Sequence, residues 1–386
     1  MTVRRKLRMG MIGGGEGAFI GGVHRIAAAL DQQVDLVAGV FSRDPANSSA
    51  TGQRLFLDPG RVYRTFEEMA EREAQLPSDR RIDFVVIVTP NHAHFGPAKV
   101  FLENGFHVVC DKPLTTTVDE ADQLVRLVDR TQLVFAVTYN YTGYPLVRHA
   151  RELFRSGAMG VVRKVLVEYL QGWLVQPEEK RGSKQAAWRT NPAESGVGGA
   201  TGDIGTHALH LTEYVTGDTV VELCADKSTF LPDRTLDEDA NVLLRFRGGG
   251  KGILTVSQIA TGEENALRLR VYASQGAILW EQENPNYLKL YRHGEPRQTL
   301  TRGRTEYLSP PAMAGTRIPW GHPEGYLEAF ANIYLGAIHA IRSSVDGHPL
   351  SPCEYDFPTV QDGSRGVRFI HEAVRSANAG GTWVTM

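Results

Sequence analysis

Two short segments place ionisable side chains beside turn residues, and they are the first candidates for chemistry. In CDKP, Lys112 stands between Asp111 and Pro113, directly after an apolar run. A strand over that run carries the lysine to the carboxyl edge of a sheet, where ligands bind in open α/β folds. A lysine partly removed from water beside another cation has a lowered pKa and can exchange a proton with a substrate hydroxyl. We interpret Lys112 as a catalytic residue that contacts substrate and cofactor. The alternative is a solvated lysine, or one paired with Asp111.

The second segment, GATGDIGTHALHLTEYV, presents Asp203, His207 and His210 at spacings of four and three. In a helix that starts at Asp203, the aspartate and His207 share a face. The pair suits proton transfer to or from a sugar hydroxyl while hydride leaves the same carbon: His207 moves the proton, and Asp203 orients substrate or imidazole. The alternative is an Asp203 that caps the helix and a His207 that packs in an interface. No fourth ligand accompanies these residues, so we expect no metal site.

A glycine-rich segment near the start of the chain is typical of a nucleotide-binding turn. The stretch GMIGGGEGAFIGGVHRIAAAL reads as a strand that ends in glycines and opens a helix. Backbone N–H groups can approach a pyrophosphate there, and the helix N-terminus favours its negative charge. Gly13 and Gly15 supply the turn. A strict G-x-G-x-x-G puts its third small residue at Ala18, but the helix is expected from Ile20 and Gly21. We therefore predict a lengthened loop that binds a dinucleotide, with Ile20 among its contacts.

The next strand should end in residues that contact the adenosine ribose. An acidic residue there binds the 2′-hydroxyl, whereas a small polar residue followed by arginine accommodates a 2′-phosphate. The stretch GVFSRDP places Ser42 and Arg43 at this point, with Asp44 next. The charges favour NADP, while a shifted register would let Asp44 serve the ribose of NAD. The expected cofactor is NAD or NADP, with Ser42 and Arg43 as contacts.

A further cofactor region is expected at VTPNHAHFGPAKV. Thr89, Pro90, Asn91 and His94 follow a strand that is apolar on both faces, and such strands end on the ligand side of a parallel sheet. The alternative is a turn in which Asn91 caps a helix and the histidines are solvated. His92 and His94 have metal-like spacing, but no partner cluster accompanies them.

Several aromatic and polar residues are candidates for holding a sugar ring. In AAWRTNP, Trp188 offers an aromatic face, and Arg189 offers a donor fork for hydroxyl or anionic groups. We assign both residues to the substrate and cofactor cleft. His322, in PWGHPEGY, ranks with them as a substrate contact, and the weaker candidates are Tyr141, Tyr144, Gln171 and Trp173. Ordinary packing or exposure is the alternative for all of these residues.

Two different patterns of elements surround these residues. Up to about residue 140, short apolar runs alternate with helical patterns, which predicts βαβ units and a parallel sheet. Gly105 marks the expected end of one helix, and Thr117–Glu120 marks the capped start of the next. Beyond about residue 160, strand-like segments follow one another with few helices. We predict an α/β Rossmann dinucleotide-binding domain over 1–140. Residues 141–386 should form an α+β domain with a large, mostly antiparallel open sheet for substrate binding and oligomerisation.

Composition limits the classes of partner. The chain has 386 residues, 42% hydrophobic content and a formal net charge of −2. This balance disfavours nucleic acid and leaves small molecules as the expected partners. Cys110, Cys224 and Cys353 have no metal-like or disulfide-like spacing and fit a reducing compartment. The early glycine turn leaves no room for an apolar signal segment, and no membrane span is expected. We predict a cytoplasmic protein.

The motifs TPNHAH, DKP and GDIGTH follow the glycine segment in this order and resemble the Gfo/Idh/MocA oxidoreductase family over nearly the whole chain. The resemblance implies an N-terminal Rossmann domain for NAD or NADP. It also implies a second domain whose open sheet face lies against a sugar or polyol and supports a homodimer or homotetramer. Lys112, Asp203 and His207 match the family's catalytic positions. Asp111 stands where many members carry Glu near the nicotinamide ribose.

The function implied is an NAD(P)-dependent dehydrogenase that acts on a secondary hydroxyl of a cyclic sugar, inositol or sugar derivative. The alternative is an NAD-dependent glycosidase with tightly bound NAD. Such an enzyme oxidises a glycoside at C3, eliminates the aglycone, adds water and returns the hydride. The tyrosines of YNYTGY could supply its extra base. A third interpretation, a regulatory protein that binds the cofactor without catalysis, requires Lys112 and His207 to be idle.

Overall fold

The computed structural model describes residues 5–347 and 355–386. Contacts between residues group the chain into two compact units. The first unit runs to Tyr139 and includes Phe330–Ser364, and the second comprises Asn140–Ala329 and Arg365–Met386. The chain first passes from one unit to the other after Tyr139, at the boundary expected near residue 140.

The sequence predicted a single boundary, but the chain returns to the first unit over Phe330–Ser364. Two contacts within that unit account for the difference. The Tyr334 hydroxyl lies 2.7 Å from Nδ1 of His24, and the Val137 N–H donates to the Pro358 carbonyl at 2.8 Å. A helical pattern in the sequence does not tell which sheet the helix will pack against.

The helices and strands of the described ranges are numbered in chain order. The helices are α1 (Phe19–Leu30), α2 (Pro45–Arg54), α3 (Phe66–Gln75), α4 (Phe95–Glu103), α5 (Val118–Thr131), α6 (Pro145–Arg155), α7 (Lys184–Arg189), α8 (Pro192–Ser195), α9 (Thr206–Thr216), α10 (Pro310–Ala314), α11 (Tyr326–Val345) and α12 (Val360–Asn378). The strands are β1 (Leu7–Gly13), β2 (Val34–Val40), β3 (Phe84–Val88), β4 (His107–Cys110), β5 (Phe135–Val137), β6 (Val162–Leu170), β7 (Val220–Ser228), β8 (Asp239–Phe246), β9 (Lys251–Ser257), β10 (Ala266–Ala273), β11 (Gly276–Glu281), β12 (Tyr287–Arg292), β13 (Gln298–Thr301) and β14 (Val384–Thr385).

The first unit contains a five-stranded sheet in the order β2-β1-β3-β4-β5. All four neighbouring pairs are parallel. Every residue of β3 is buried, as a strand of a doubly covered parallel sheet must be. This architecture confirms the predicted Rossmann domain, and it brings the carboxyl ends of β1, β3 and β4 to one edge of the sheet.

The local signals at three helix ends agree with the structure. Gly105 adopts φ +80° just beyond α4, a backbone conformation that glycine reaches without steric cost. The Thr117 side chain accepts the Glu120 N–H at 3.3 Å and caps α5. Helix α1 begins at Phe19, one residue before the predicted start. These ends fix where the loops between strands and helices can place functional side chains.

The second unit contains a nine-stranded sheet in the order β13-β12-β11-β10-β6-β9-β8-β7-β14. The β6–β9 pair is parallel, and the other pairs are antiparallel, which confirms the mostly antiparallel prediction. On β6, Val165 and Val167 are buried, and they alternate with Glu168, which pairs with Arg268 across the sheet at 3.2 Å. One face is therefore core, and the other carries partly exposed charges.

Helices between β5 and β7 are more numerous than predicted. Helices α6 to α9 all lie in this interval. The segment of α6 was not recognised because arginines and a histidine interrupt its apolar pattern. Its Arg148 and His149 are nevertheless buried, at 7% and 5% exposure. The underestimate matters for the site, because α7 carries the predicted Trp188 and Arg189.

Among the described residues, no helix combines the length and apolar character needed to cross a membrane. Cys110 and Cys224 carry free thiols, and Cys353 lies outside the described ranges.

Candidate active site

The glycine loop of the first unit is a close-packed turn. Gly13 and Gly14 have φ values of +85° and +74°, which favour glycine. A Cβ on Gly21 would lie 2.3 Å from the Cα of Gly14, and one on Gly15 would lie 2.8 Å from the Phe41 carbonyl oxygen. The role expected of a third small residue at Ala18 is therefore filled by Gly21, where α1 passes closest to β1. The strict motif spacing did not identify Gly14 or Gly21.

The start of α1 is shaped to receive an anion. Its N-cap residue, Ala18, makes no side-chain cap, so Phe19 and Ile20 begin the helix without a competing side-chain oxygen. The preceding loop is tied down by the Glu16 N–H, which donates to Asn47 Oδ1 at 3.1 Å and to Thr51 Oγ1 at 3.2 Å. These residues could hold the pyrophosphate of a dinucleotide.

The adenosine end contains the predicted Ser42 and Arg43. Ser42 Oγ accepts the Asp44 N–H at 3.1 Å, and Asp44 Oδ1 accepts the Ala46 N–H at 3.0 Å. Asp44 therefore caps α2, while Arg43 is exposed. An exposed guanidinium beside a serine hydroxyl suits a phosphate better than it suits a bare ribose.

His94 connects the ends of two strands. Its Nε2 lies 2.8 Å from the Thr89 carbonyl oxygen, and its Nδ1 lies 2.8 Å from the Pro113 carbonyl oxygen. The ring is 1% exposed, and burial lowers its pKa. Both nitrogens face backbone carbonyls, so His94 holds the loops that carry Pro90 and Asn91 instead of presenting a nitrogen to a cofactor. The structure thus gives His94 a positioning role, and its contact with the cofactor stays a prediction.

Lys112 lies in a loop that Asp111 organises. Asp111 Oδ1 accepts the Lys112 backbone N–H and the Thr138 hydroxyl, both at 2.8 Å. Its other oxygen, Oδ2, lies 3.8 Å from Nε2 of His24. The Lys112–Pro113 peptide is cis. The Asp111 carboxylate therefore sets the course of the main chain at the candidate acid/base.

The partner of Asp111, His24, is completely buried on α1. Its Nδ1 lies 2.7 Å from the Tyr334 hydroxyl, and Phe330 packs edge-on against its ring at 4.7 Å between centroids. Burial keeps the pKa of Tyr334 well above its ordinary value, so the phenol retains its proton in its hydrogen bond with Nδ1. The other ring nitrogen, Nε2, lies on the Asp111 side.

The charge on Asp111 is favoured in this setting. Burial by itself would raise its pKa, but His24 and Lys112 outweigh that effect and hold the pKa well below the usual range. Asp111 is therefore an anion beside Lys112 at neutral pH. His24 and Tyr334 were not predicted as site residues.

The predicted helix around His207 starts with a π-helical turn, Thr201–Gly205. A buried carboxylate fixes it: Asp237 accepts the Gly199 N–H at 2.8 Å, and it accepts the Thr201 N–H and hydroxyl, each at 2.7 Å. A Cβ on Gly199 would lie 2.1 Å from the Asp237 carbonyl oxygen. Such π turns recur at functional sites because they re-aim side chains within a helix.

Asp203, in this turn, accepts two hydrogen bonds on one oxygen. Its Oδ2 accepts Arg189 Nε at 3.1 Å and Gln258 Nε2 at 2.8 Å. The Arg189 guanidinium also stacks on Trp188 at 4.2 Å and reaches Gln185 Oε1 at 2.6 Å. Arg189 is therefore engaged with Asp203, and an open donor fork for an anionic substrate, as the sequence suggested, is replaced by a support for this carboxylate.

His207 is 7% exposed and lies against aromatic rings. Tyr141 meets it edge-on with centroids 4.8 Å apart, and Tyr169 lies at 6.3 Å. Burial raises the pKa values of both tyrosines, so they act as hydrogen-bond donors at neutral pH. His207 is thus held against the rings of two protonated tyrosines.

Asn265 links these tyrosines to the remaining predicted residues. Its Oδ1 accepts the Tyr169 hydroxyl and Gln171 Nε2, both at 2.7 Å, and Gln171 Oε1 accepts the Trp173 indole N–H at 3.1 Å. Trp173 lies 5.9 Å from the Arg189 guanidinium. These contacts form a connected network that runs from Asp203 to His207, which we call the polar ring. Its members are Asp203, Arg189, Trp173, Gln171, Asn265, Tyr169, Tyr141, His207, Gln258 and Trp188.

The polar ring brings together the predicted second-unit residues except Tyr144 and His322. His322 is exposed, and it lines a separate cleft with Tyr144 and Asn265. Gln258, Asn265 and Asp237 were missed because nothing local in the sequence marks them. Within the described residues, no group of three or more His, Cys, Asp or Glu side chains is placed to hold a metal ion.

The fold and these residues define a two-unit oxidoreductase with a nucleotide-binding first unit. Comparison with known proteins agrees. Residues 7–139 match the oxidoreductase family with an NAD-binding Rossmann fold, and residues 147–279 match the GFO/IDH/MocA C-terminal domain. The chain belongs to the Gfo/Idh/MocA oxidoreductase family, as its motifs indicated, and its first unit is an NAD-binding domain.

Relatives span the full chain. An oxidoreductase from Sinorhizobium meliloti is 46% identical, with a TM-score of 0.88 and coverage of 99% of this chain and 100% of that one. An inositol dehydrogenase homolog from Azotobacter vinelandii, complexed with NADH and myo-inositol, is 34% identical, with a TM-score of 0.92 and coverage of 100% and 98%. Levoglucosan dehydrogenase from Pseudarthrobacter phenanthrenivorans is 26% identical over 98% of each chain. The neighbours thus include sugar and inositol dehydrogenases.

Proposed function

We propose that the protein is an NAD(P)-dependent dehydrogenase that oxidises a secondary hydroxyl of a cyclic sugar, inositol or sugar derivative. The polar ring carries the proposal, because its contacts link an imidazole, through two phenols, to a carboxylate, amides and indoles. These are the groups that bind the hydroxyls and C–H faces of such rings. The relative complexed with NADH and myo-inositol supports the same class of substrate.

The residues divide the work of moving one proton. Lys112 and His207 are the acid/base groups: one of them takes the hydroxyl proton as the C–O bond becomes a carbonyl, and the other hydrogen-bonds the same oxygen. Asp203, held by Arg189 and Gln258, orients the sugar. The nicotinamide, when bound, supplies the acceptor for the hydride that leaves the carbon.

Gly13, Gly15 and Ile20 are proposed to hold the pyrophosphate, and Ser42 and Arg43 the adenosine end. Thr89, Pro90 and Asn91 would lie along the cofactor, with Asp111 near the ribose. The exposed Arg43 supports acceptance of NADP, and the relative bound to NADH supports NAD. We keep NAD or NADP as the proposed cofactor.

The hydrolytic alternative has no supporting observation of its own. It needs an additional base for elimination, and the tyrosines nearest His207 have raised pKa values. A phenol with a raised pKa keeps its proton at neutral pH.

We also propose that the protein works in the cytoplasm as a homodimer or homotetramer. The charged open face of the nine-stranded sheet, where Arg268 contacts both Glu168 and Glu263, supports a subunit contact. Size-exclusion chromatography with light scattering tests the assembly.

The function is tested on the purified full chain. Denaturation followed by mass spectrometry identifies any nicotinamide cofactor that survived purification. A panel of inositols, pyranoses and anhydrosugars is then incubated with NAD and NADP in parallel, and absorbance of the reduced nicotinamide is recorded. Cofactor reduction by at least one cyclic polyol or sugar is expected. Release of aglycone from glycosides without added cofactor, and without net reduction, would overturn the proposal.

A further inference from the structure

A second cleft lies in the second unit beside the polar ring. It contains about 1270 Å³ of open space, more than the roughly 300–1,000 Å³ typical of small-molecule pockets. We call it the outer cleft. Three segments form its walls. One precedes β10 and contains Asn265, one joins β11 to β12 and ends at Tyr287, and the third runs from β13 to α11 and contains Trp320 and Tyr326.

Buried charged side chains hold the loop that carries Trp320 in place. Arg302 and Glu324 form an ion pair at 2.8 Å, with side chains 3% and 2% exposed. Asn286 accepts Arg302 Nε at 2.8 Å and donates to the Glu324 carbonyl at 2.8 Å. Glu324 also accepts the Ile318 N–H at 2.9 Å. A buried pair is costly unless its hydrogen bonds are satisfied, and here they hold one loop conformation.

This loop presents an aromatic ring that its own packing does not require. Trp320 is 50% exposed, and Tyr287, also in the outer cleft, is 46% exposed. The Arg304 guanidinium lies 4.3 Å above the Trp320 ring and restrains it. Half-exposed aromatic rings in a polar cleft suit the C–H face of a sugar ring.

The charges of the outer cleft indicate a neutral ligand. Two of its carboxylates have ionic partners: Glu263 pairs with Arg268 outside the cleft, and Glu324 pairs with Arg302. The remaining acidic groups of the lining are Glu264 and Glu283, and the remaining arginine is Arg304. Carboxylates accept hydrogen bonds from hydroxyls but repel phosphates and carboxylates.

The outer cleft and the polar ring share one side chain. Asn265 lines the cleft and also accepts Tyr169 and Gln171 in the ring. We propose that the outer cleft binds a second sugar ring, so that the preferred substrate is a neutral glycoside or disaccharide whose first ring is oxidised beside His207. This inference rests on the proposed dehydrogenase function and deepens it.

The test compares each parent ring with its extended form on the full chain: myo-inositol with galactinol, and glucose with cellobiose and maltose. Turnover is measured with NAD and NADP, and binding is measured separately by calorimetry. At least one extended substrate should have a kcat/KM about tenfold or more above that of its parent. Equal or lower values for all extended forms, while a parent ring is oxidised, would overturn the inference and leave the function intact.

Trp320→Ala supplies the matched variant, with Trp383→Ala as control. Trp383 is also exposed, at 38%, carries a stacked arginine at 3.8 Å, and lies outside the outer cleft. Trp320→Ala should lower kcat/KM for the extended substrate about tenfold and leave the parent ring unchanged, whereas Trp383→Ala should change neither.

Two further outcomes contradict the inference. An equal loss of kcat/KM for both substrates would mean that Trp320 supports folding and not the binding of a second ring. A change of oligomeric state in Trp320→Ala would mean that the outer cleft is a subunit contact. Binding of galactinol that depends on Trp320 without any cofactor reduction would support the second-ring site and reject the dehydrogenase function.

Discussion

The two groups assigned to proton transfer have contrasting supports. Lys112 in the first unit depends on Asp111, which depends in turn on one buried histidine and one buried tyrosine. His207 in the second unit stands within the polar ring, where amides, indoles and phenols share the contacts. A support that passes through two successive partners fails at either of them, whereas a network whose members share several contacts distributes the loss of one member. The comparison therefore predicts different sensitivities for the residues that support the two groups.

The largest effect is expected for the acid/base groups themselves. Lys112→Ala and His207→Ala should each lower turnover by about 10²-fold or more, because each removes a group that moves the proton. Cofactor affinity, measured by nicotinamide fluorescence, should stay within about threefold because neither residue forms the pyrophosphate turn. Near-wild-type turnover in either variant would show that the substituted residue is not an acid/base group, and the two supports could then no longer be compared.

A smaller effect concerns the acid stability of the first unit. Burial lowers the pKa of His107 from 6.5 to about 4, and its Nδ1 accepts the Val134 N–H at 2.9 Å. The folded chain keeps this imidazole neutral while the unfolded chain binds a proton below pH 6.5. Its contribution is therefore complete above pH 6.5 and is lost as the pH falls toward 4.

The loss should be about 2 kcal/mol of unfolding free energy by about pH 5. Denaturant unfolding between about pH 7 and pH 5 measures it. His107→Asn keeps an acceptor for the Val134 N–H and cannot be protonated, so its stability should change less over this interval. Identical slopes for the two proteins would contradict the assignment.

The support residues test the contrast directly. His24→Asn should lower turnover about tenfold, whereas Gln171→Ala should lower it about threefold or less. Loss of His24 removes the partner that keeps the Asp111 pKa low, so the acid limb of the pH–rate profile should move to higher pH. The profile of Gln171→Ala should not move. Tyr334→Phe, which keeps the ring, should act in the same direction as His24→Asn.

A general loss of folding is separated from this effect by thermal melting and by cofactor affinity. Equal losses in His24→Asn and Gln171→Ala, with unshifted profiles in both, would mean that the two supports do not differ.

The smallest effect is expected at the adenosine end. Arg43→Ala should raise the KM for NADP about fivefold and leave the KM for NAD within about twofold, because an exposed guanidinium contributes mainly to a phosphate contact. Asp58→Ala, a neighbouring exposed charge that caps a short turn through the Gly60 N–H, serves as control. A parallel change for both cofactors would remove Arg43 from the choice between them.

Local motifs identified much of the site from the sequence. The glycine turn at Gly13, the strand end before Lys112 and the helix at His207 each have signals within a few residues, so their positions were predictable. The supports were not, because their partners are remote in the chain: Tyr334 is 310 residues from His24, and Asn265 is 94 residues from Gln171. A buried contact between such positions depends on the completed packing of the sheet, which single-sequence patterns do not encode.

The fold shows the same division. Runs that are apolar on both faces predicted the parallel sheet, and successive strand-like segments with few helices between them predicted the antiparallel one. Helix α6 was missed because its buried Arg148 and His149 read as exposed positions. The grouping of Phe330–Ser364 with the first unit was missed because packing partners, and not local propensity, decide it.

The most direct test of the central claim follows one deuterium. The best cyclic substrate from the panel is prepared with deuterium on the carbon to be oxidised, and the products are analysed by mass spectrometry and NMR. The account predicts one deuterium on C4 of the reduced nicotinamide for each carbonyl product, with the yield reduced in Lys112→Ala and His207→Ala. Deuterium retained on a hydrolysed sugar, with no net reduced cofactor, would contradict it.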